Sequence, residues 1–217
     1  VCSSDLMNLS CRETNLVEFS QGLVSLFTYN ANLRGINIRL EMPETPVNAW
    51  IDRNKLDKAI ANLLSNAFKY TPNGGEIIFR IEKQANKVLL YVIDSGKGLG
   101  KNDDAKTLFE RFYQGQNSAD MHLGGSGIGL NLCRSIVRLH GGAVYAHNRE
   151  DGKSGACFII ELPLGKEHLK NNQIYSDNRD TKKKQQRGAA SRNSKILLVD
   201  DDIEICRYLK SELSDWY

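Results

Sequence analysis

The stretch LDKAIANLLSNAFKYTP, residues 56–72, decides the fold because its apolar residues recur at helical spacing. The pattern predicts a helix over residues 53–70. One face of that helix is apolar and carries Leu56, Ile60, Leu63, Leu64 and Ala67. On the opposite face Asn62, Asn66 and Lys69 fall within roughly 60° of one another, with Tyr70 at the edge.

The polar face of this helix has two interpretations. It can be an ordinary solvated surface, which is the usual role of such a face. However, asparagine costs about 0.6 kcal/mol relative to alanine inside a helix, and here two stand four residues apart. Amide oxygens, an ammonium group and an aromatic ring also suit a metal-bound nucleotide, because Mg²⁺ takes oxygen ligands from protein and phosphates.

The overall composition is that of an ordinary globular protein. The 217 residues carry a net charge of +3 and are 41% hydrophobic. This charge is too small to indicate direct nucleic-acid binding, and no apolar run approaches the ~20 residues of a membrane helix. The five cysteines are scattered, which favours reduced thiols over a disulfide framework or zinc site, with Cys133 and Cys157 in the core.

Periodic patterns predict an α+β fold, an α/β sandwich with a mixed sheet and helices on one face. We expect the end of a helix in residues 1–12 and the main domain in 13–165. The expected elements of that domain are a helix over 15–34, a strand over 36–42, two strands within 76–94, a helix over 127–139 and a hairpin over 143–164. Residues 166–194 are polar and lysine-rich, as in a flexible linker, and 195–217 resume an apolar strand and a helical pattern.

An acidic glycine turn follows the second of the central strands. Asp94 ends the strand, and Gly96, Gly98 and Gly100 follow at once. A carboxylate here can accept a hydrogen bond from the amino group of adenine, and glycines let the backbone approach the ring. A common Asp-x-Gly turn without function is the alternative.

A second glycine cluster, Gly124, Gly125, Gly127 and Gly129, runs straight into a helix. A glycine-rich approach to a helix N-terminus predicts an anion site, although its spacing differs from the P-loop and dinucleotide motifs. The preceding stretch LFERFYQGQNSADMHL, residues 108–123, is long and polar with an aromatic patch. Such a length indicates a lid over a ligand.

Together these motifs resemble the nucleotide-binding domain of histidine kinases. The stretch from Asn62 to Pro72 resembles the N box of that family, Asp94 to Gly98 the G1 box, Phe109 to Tyr113 the F box, and Gly124 to Leu130 the G2 box. The resemblance covers residues 15–165 with all four boxes in the family's order. It implies the Bergerat-type ATPase sandwich and a protein-histidine kinase.

The resemblance also implies roles for individual residues, with ATP and Mg²⁺ as cofactors. Asn66 would be the Mg²⁺ ligand, with Asn62 and Lys69 at the phosphates. Tyr70 would pack near the adenine, and Asp94 would accept a hydrogen bond from its amino group. The remaining predicted ATP-binding residues are Gly96, Gly98, Phe109, Tyr113, Gly125, Ser126, Gly127, Ile128, Gly129 and Leu130. Residues 99–124 would form the mobile lid.

The residue four positions before Asn66 distinguishes between ATP hydrolysis and phosphoryl transfer within this superfamily. The relatives that hydrolyse ATP carry a glutamate four residues before the magnesium-binding asparagine, and this chain has Asn62 there. A neutral amide cannot accept a proton from water, which favours phosphoryl transfer over hydrolysis. A nucleotide sensor without transfer activity and a self-contained ATPase remain alternatives.

The expected partners follow from what the family needs and this sequence lacks. None of the four histidines has the setting of a phosphoacceptor, so that residue is expected in an upstream dimerisation domain of a homodimer. Asp200 and Asp201, in KILLVDDD, resemble the Mg²⁺-binding pair of a receiver domain. The whole is expected to be the cytoplasmic portion of a hybrid sensor kinase, which in this family is often membrane-anchored.

Overall fold

The computed structural model describes residues 8–100, 107–111, 113 and 127–175. All of them belong to one structural unit that extends to Tyr175. The second unit, residues 176–217, lies outside the described residues and includes the predicted acidic pair Asp200 and Asp201.

Seven strands and four α-helices make up the described unit. In chain order they are β1 (Arg12–Asn15), α1 (Leu16–Ser25), α2 (Thr28–Leu33), β2 (Asn37–Glu41), β3 (Asn48–Ile51), α3 (Arg53–Tyr70), β4 (Glu76–Lys83), β5 (Lys87–Asp94), α4 (Gly129–Leu139), β6 (Ala143–Asn148) and β7 (Ala156–Pro163). Single 3₁₀ turns occupy Thr107–Phe109 and Asn171–Gln173.

The main sheet is mixed and has the strand order β2-β4-β5-β7-β6. Only β2 and β4 run parallel, and the other neighbours are antiparallel. The register sets Asp94 opposite Ile77, so the acidic glycine turn begins at the end of a central strand. β1 and β3 form a separate antiparallel pair.

The core lies between one face of the main sheet and the helices. Alternate residues of the sheet enter it, as a two-residue period requires: Ile77, Phe79, Ile81, Val88, Leu90, Val92, Phe158, Ile160 and Leu162. The helices contribute Leu16, Leu23, Val24, Leu56, Ile60, Leu63, Leu64, Ala67, Cys133, Ile136 and Val137. The predicted sandwich with helices on one face is therefore confirmed.

The cysteines of the core are inert. Cys133 and Cys157 are buried as predicted, and burial raises their thiol pKa values to about 12 and about 11. Such thiols stay protonated at neutral pH and pack as small apolar groups. None of the helices in the described ranges is long and apolar enough to cross a membrane.

Several predicted boundaries are wrong. The single helix expected over 15–34 is interrupted after Ser25, which places Phe27 against Phe68 of α3 with ring centroids 5.3 Å apart. A helix end over 1–12 is not found in residues 8–12, where Cys11 forms a bridge with Ile174 and β1 begins. Residues 166–175, expected to be linker, belong to the folded unit because the Gln173 carbonyl accepts the Cys11 N–H.

Candidate functional site

Helix α3 supplies the polar face predicted from sequence. It begins because the Asp52 side chain caps it, accepting the Lys55 N–H at 3.2 Å. It ends at Thr71, whose hydroxyl donates to the Ala67 carbonyl, and Pro72 cannot continue it. The apolar face is fully buried, while Asn62, Asn66 and Lys69 are half-buried.

The two asparagines of this face are chemically available. Neither side-chain amide has a hydrogen-bond partner among the described residues. The two amides lie one helical turn apart on α3, and their oxygens are of the type that Mg²⁺ accepts.

The N-terminus of α4 lies against Asn62. Gly127 has φ +64°, the left-handed region, and leads into the N-cap residue Ile128. No described side chain caps the helix, and its first helical bond runs from the Leu132 N–H to the Ile128 carbonyl. A side chain on Gly129 would begin 2.9 Å from Oδ1 of Asn62. The first N–H groups of α4, which no described side chain caps, and the amide of Asn62 thus border the same space, a setting that favours an anion.

The acidic turn lies at the C-terminal end of α3. Asp94 is 2% exposed, and its Oδ1 accepts the N–H groups of Gly96 at 2.8 Å and Ala156 at 3.3 Å. Its Oδ2 accepts no hydrogen bond within the described part of the chain. Burial raises the pKa of this carboxyl, while the two N–H donors and the nearby Arg149 lower it. One carboxylate oxygen is thus fixed by the fold and the other is left for a donor on a ligand.

Tyr70 connects α3 to that turn. A side chain on Gly96 would begin 2.5 Å from the Tyr70 carbonyl, so only glycine fits there. Two cations lie near the Tyr70 ring, with Lys69 Nζ at 5.0 Å and Lys97 Nζ at 5.4 Å from its centroid. Lys97 was not among the predicted site residues, although its position between Gly96 and Gly98 was a signal for it.

The structure places both predicted aromatic residues of the F box against the core. Phe109 is 2% exposed and belongs to the core, so the structure assigns its ring to packing and does not bring it into the site. Its carbonyl accepts a hydrogen bond from the Asn131 side chain of α4 at 2.9 Å. Tyr113 is half-buried and packs against the same core. Gly125 and Ser126, together with Phe112, lie outside the described residues.

Arg34 supports the site and was missed by the sequence analysis. Its guanidinium donates to the carbonyls of Phe68 and Thr71, the latter at 2.6 Å, and to Oδ1 of Asn73 at 3.0 Å. These bonds fix the C-terminal turn of α3, where Lys69 and Tyr70 stand. No local pattern marks Arg34, because its partners lie 34 to 39 residues away in sequence.

Comparison with known proteins agrees with this geometry. Residues 51–166 match the family described as histidine kinase-, DNA gyrase B- and HSP90-like ATPase. The chain belongs to this ATPase family. The matched range contains α3, the turn at Asp94 and the N-terminus of α4, so every described part of the site lies within the family domain.

Relatives of this ATPase domain are longer proteins named as histidine kinases. Histidine kinase P4 of Formosa agariphila is 34% identical over 174 residues, which are 78% of this chain and 12% of that protein. Hybrid signal transduction histidine kinase D of Dictyostelium discoideum is 36% identical over 79% of this chain and 11% of that protein. The chain thus spans about an eighth or less of the length of these relatives.

A solved structure shows the same fold. The catalytic domain of histidine kinase ThkA aligns with a TM-score of 0.63 at 27% identity, covering 72% of this chain and 97% of that domain. The described unit is therefore an ATP-binding domain of the histidine kinase type.

Proposed function

We propose that the domain binds ATP with Mg²⁺ between α3, the turn 94–98 and the N-terminus of α4, and supplies the γ-phosphoryl group to a histidine outside residues 1–217. The closeness of Asn62 to Gly129 carries this proposal. It sets the Asn62 amide, which has no partner among the described residues, against the N–H groups of α4, which no described side chain caps. A triphosphate with its cation needs both kinds of group in one place.

The phosphate end of the site uses three side chains of α3. Asn66 holds Mg²⁺ together with phosphate oxygens, Asn62 stands beside the phosphates, and Lys69 contributes positive charge. The half-buried, unpaired amide of Asn66 fits such a cation. When bound, Mg²⁺ neutralises charge on the β- and γ-phosphates. Backbone N–H groups from Gly127 to Leu130 bind the phosphate oxygens, and Gly125 and Ser126 are proposed to continue this loop.

The adenine end uses the turn at Asp94. Its Oδ2 accepts the adenine amino group, while Oδ1 stays bound to the backbone of Gly96 and Ala156. Gly96 and Gly98 leave the backbone open toward the ring. Tyr70 and Lys97 border the same region.

Transfer is favoured over hydrolysis by the chemistry of Asn62. Its neutral amide cannot act as a general base for water. The acceptor is not His140, because that ring is 1% exposed and both of its nitrogens are within hydrogen-bond distance of backbone atoms. A histidine in an upstream dimerisation domain of a homodimer is the proposed acceptor.

Titration calorimetry tests the site. Asn66→Ala should weaken Mg²⁺-dependent ATP binding at least about tenfold, since a ligand to the cation is lost. Ser65→Ala, an exposed neighbour on the same helix, is the matched control and should bind as the wild type does. Equal affinity in Asn66→Ala and wild type contradicts the site.

Labelled ATP tests the reaction in the full parent protein. We expect an acid-labile, alkali-stable label on a histidine, absent in Asn66→Ala. Steady phosphate release without labelled histidine would instead support an ATPase. Nucleotide binding with neither product would support a sensor.

The wider protein is proposed to be a hybrid sensor kinase. Asp200 and Asp201 would belong to a receiver domain that takes the phosphoryl group onward, with their own Mg²⁺. The name of the hybrid relative from Dictyostelium discoideum is consistent with such an arrangement. We propose that this part is cytoplasmic and that the parent sensor is membrane-anchored. Chasing labelled phosphate from histidine to aspartate in the parent protein tests the relay.

A further inference from the structure

The connection between β6 and β7 supports the Asp94 turn from outside the family's sequence boxes. This connection, residues 148–156, contacts the turn at three separate points. Asn148 binds Leu99, Ser154 binds Gly96 and Ala156 binds Asp94. These contacts join segments that are 49 to 62 residues apart in sequence.

Asn148 makes the most directional of these contacts. Its Oδ1 accepts the Leu99 N–H at 2.6 Å, and its Nδ2 donates to the Leu99 carbonyl at 3.1 Å. Both backbone groups of one residue are therefore held by a single planar amide, in the manner of a strand partner. This pairing fixes the position and orientation of the backbone just after Gly98.

The surrounding backbone is shaped to allow this pairing. Gly98 has φ +78°, and a side chain there would begin 2.6 Å from Oδ1 of Asn148. Ser154 Oγ donates to the Gly96 carbonyl at 2.6 Å. A side chain on Gly155 would collide with the Asp94 carbonyl at 1.9 Å. The connection and the turn thus fit together so closely that neither can shift alone.

We propose that Asn148 is a positioning residue for adenine recognition, acting through Leu99 and Gly98 on the placement of Asp94. The inference rests on the proposed role of Asp94 in binding the adenine amino group. Asn148 itself is exposed at the end of β6. Loss of the Asn148 side chain therefore costs the fold little stability. It does, however, release the backbone at Leu99, at one end of the turn, while Asp94 stands at the other end.

Asn148→Ala tests this in the folded domain. The Leu99 amide should lose hydrogen-exchange protection, because its acceptor is gone. ATP affinity should fall roughly tenfold, because part of the binding free energy must then order the turn that Asn148 already holds in the wild type. The ratio of ATP affinity to GTP affinity should also fall, because Asp94 is proposed to bind the adenine amino group, which guanine lacks at that ring position. Asn37→Ala, an exposed strand asparagine of β2, is the control and should alter none of these.

A purely structural role gives a different result. It would lower the unfolding temperature of Asn148→Ala while leaving ATP affinity and the ATP-to-GTP ratio unchanged, which overturns the inference. Asn148→Asp keeps the acceptor for the Leu99 N–H but not the donor. We expect it to recover part of the exchange protection and only part of the affinity.

Asp94→Ala separates this inference from the function on which it rests. If Asp94→Ala binds ATP as tightly as the wild type, the proposed adenine site fails and the inference fails with it. If Asp94→Ala weakens binding and Asn148→Ala does not, only the role of Asn148 fails. With both correct, the double variant should lose less affinity than the product of the two single losses, because both remove the same contact.

Discussion

Gly129 and Asn62 approach so closely that a single methyl group on Gly129 would begin 2.9 Å from Oδ1 of Asn62. This relationship sets the distance between the first turn of α4 and the middle of α3. It joins two motifs that lie 67 residues apart in the sequence. The space proposed for the phosphates is open because Gly129 lacks that methyl group.

Gly129→Ala should separate stability from binding. The new methyl group displaces the Asn62 amide, so we expect ATP affinity to fall several-fold. The same change improves helix propensity by up to about 1 kcal/mol, so the unfolding free energy should hold or rise. Gly22→Ala in α1 is the matched control, because its added methyl group meets nothing within 4 Å. Calorimetry and denaturant unfolding measure both quantities, and unchanged ATP affinity in Gly129→Ala would contradict the contact.

Asp94→Asn should weaken binding while stabilising the free domain at neutral pH. The amide nitrogen cannot accept the adenine amino group, so affinity should fall at least about tenfold. Burial raises the pKa of Asp94. The protonated carboxyl therefore stabilises the folded state below pH 3.8, and this stabilisation is lost as pH rises through the folded-state pKa. The neutral variant avoids that loss. Unfolding curves at several pH values should show the gain of the variant growing from acid to neutral pH, and a gain independent of pH would refute this cause.

Removing Arg34 should destabilise the C-terminal turn of α3. Arg34→Ala leaves the carbonyls of Phe68 and Thr71 without their charged donor, which costs about 2–3 kcal/mol. Arg39→Ala, an exposed arginine with surface ion pairs, should change stability by only about 0.5 kcal/mol or less. Urea unfolding compares the two variants. Equal losses of unfolding free energy would show that the hydrogen bonds from Arg34 to α3 stabilise the domain no more than surface ion pairs do.

His140 should make the domain less stable in mild acid. Its Nε2 accepts the Asp52 N–H at 3.0 Å, and Nδ1 lies 2.8 Å from the Ile136 carbonyl, so the ring is neutral with its proton on Nδ1. Burial lowers its pKa below 6.5, and His168 and Lys55 add to this. The hydrogen bond to the Ile136 carbonyl and the charge of Asp52 oppose it. The unfolded state therefore binds a proton below pH 6.5 that the folded state does not, and stability falls as pH falls.

The unfolding free energy between pH 7.5 and 5.5 measures this effect. His140 contributes a slope of up to about 1.4 kcal/mol per pH unit. His140→Gln retains an acceptor for the Asp52 N–H and removes the titration, so its curve should be flatter. His168, whose pKa burial also lowers, accounts for remaining slope and is tested by His168→Gln. Parallel curves for wild type and His140→Gln would exclude His140 as the cause.

The sequence predicts local features of this domain well. Helix α3 occupies Arg53–Tyr70, the predicted range, because a long apolar stripe, an N-cap at Asp52 and a stop at Pro72 all agree. Strands β4 and β5 were found through their apolar runs. The face with Asn62 and Asn66 followed from helical geometry alone.

Features that depend on long-range contacts could not be predicted from the sequence, for physical reasons. β1 and β3 are four residues each, too short to show a period, and exist because they pair with each other. The break between α1 and α2 accompanies stacking of Phe27 on Phe68, a tertiary contact. Arg34 and Asn148 act on backbone groups far away in the chain, and such bonds leave no local pattern.

The bridge between Cys11 and Ile174 has a mechanical consequence. The two segments run parallel, with the Cys11 N–H donating to Gln173 and the Cys11 carbonyl accepting from Tyr175, both at 2.7 Å. Tension applied through the two ends of the domain therefore loads both bonds at once, in shear, and cannot open them one by one. The proposed nucleotide site lies inside the loop that these two hydrogen bonds close, so a force applied at the two ends of the domain is carried by the bonds and not by the site.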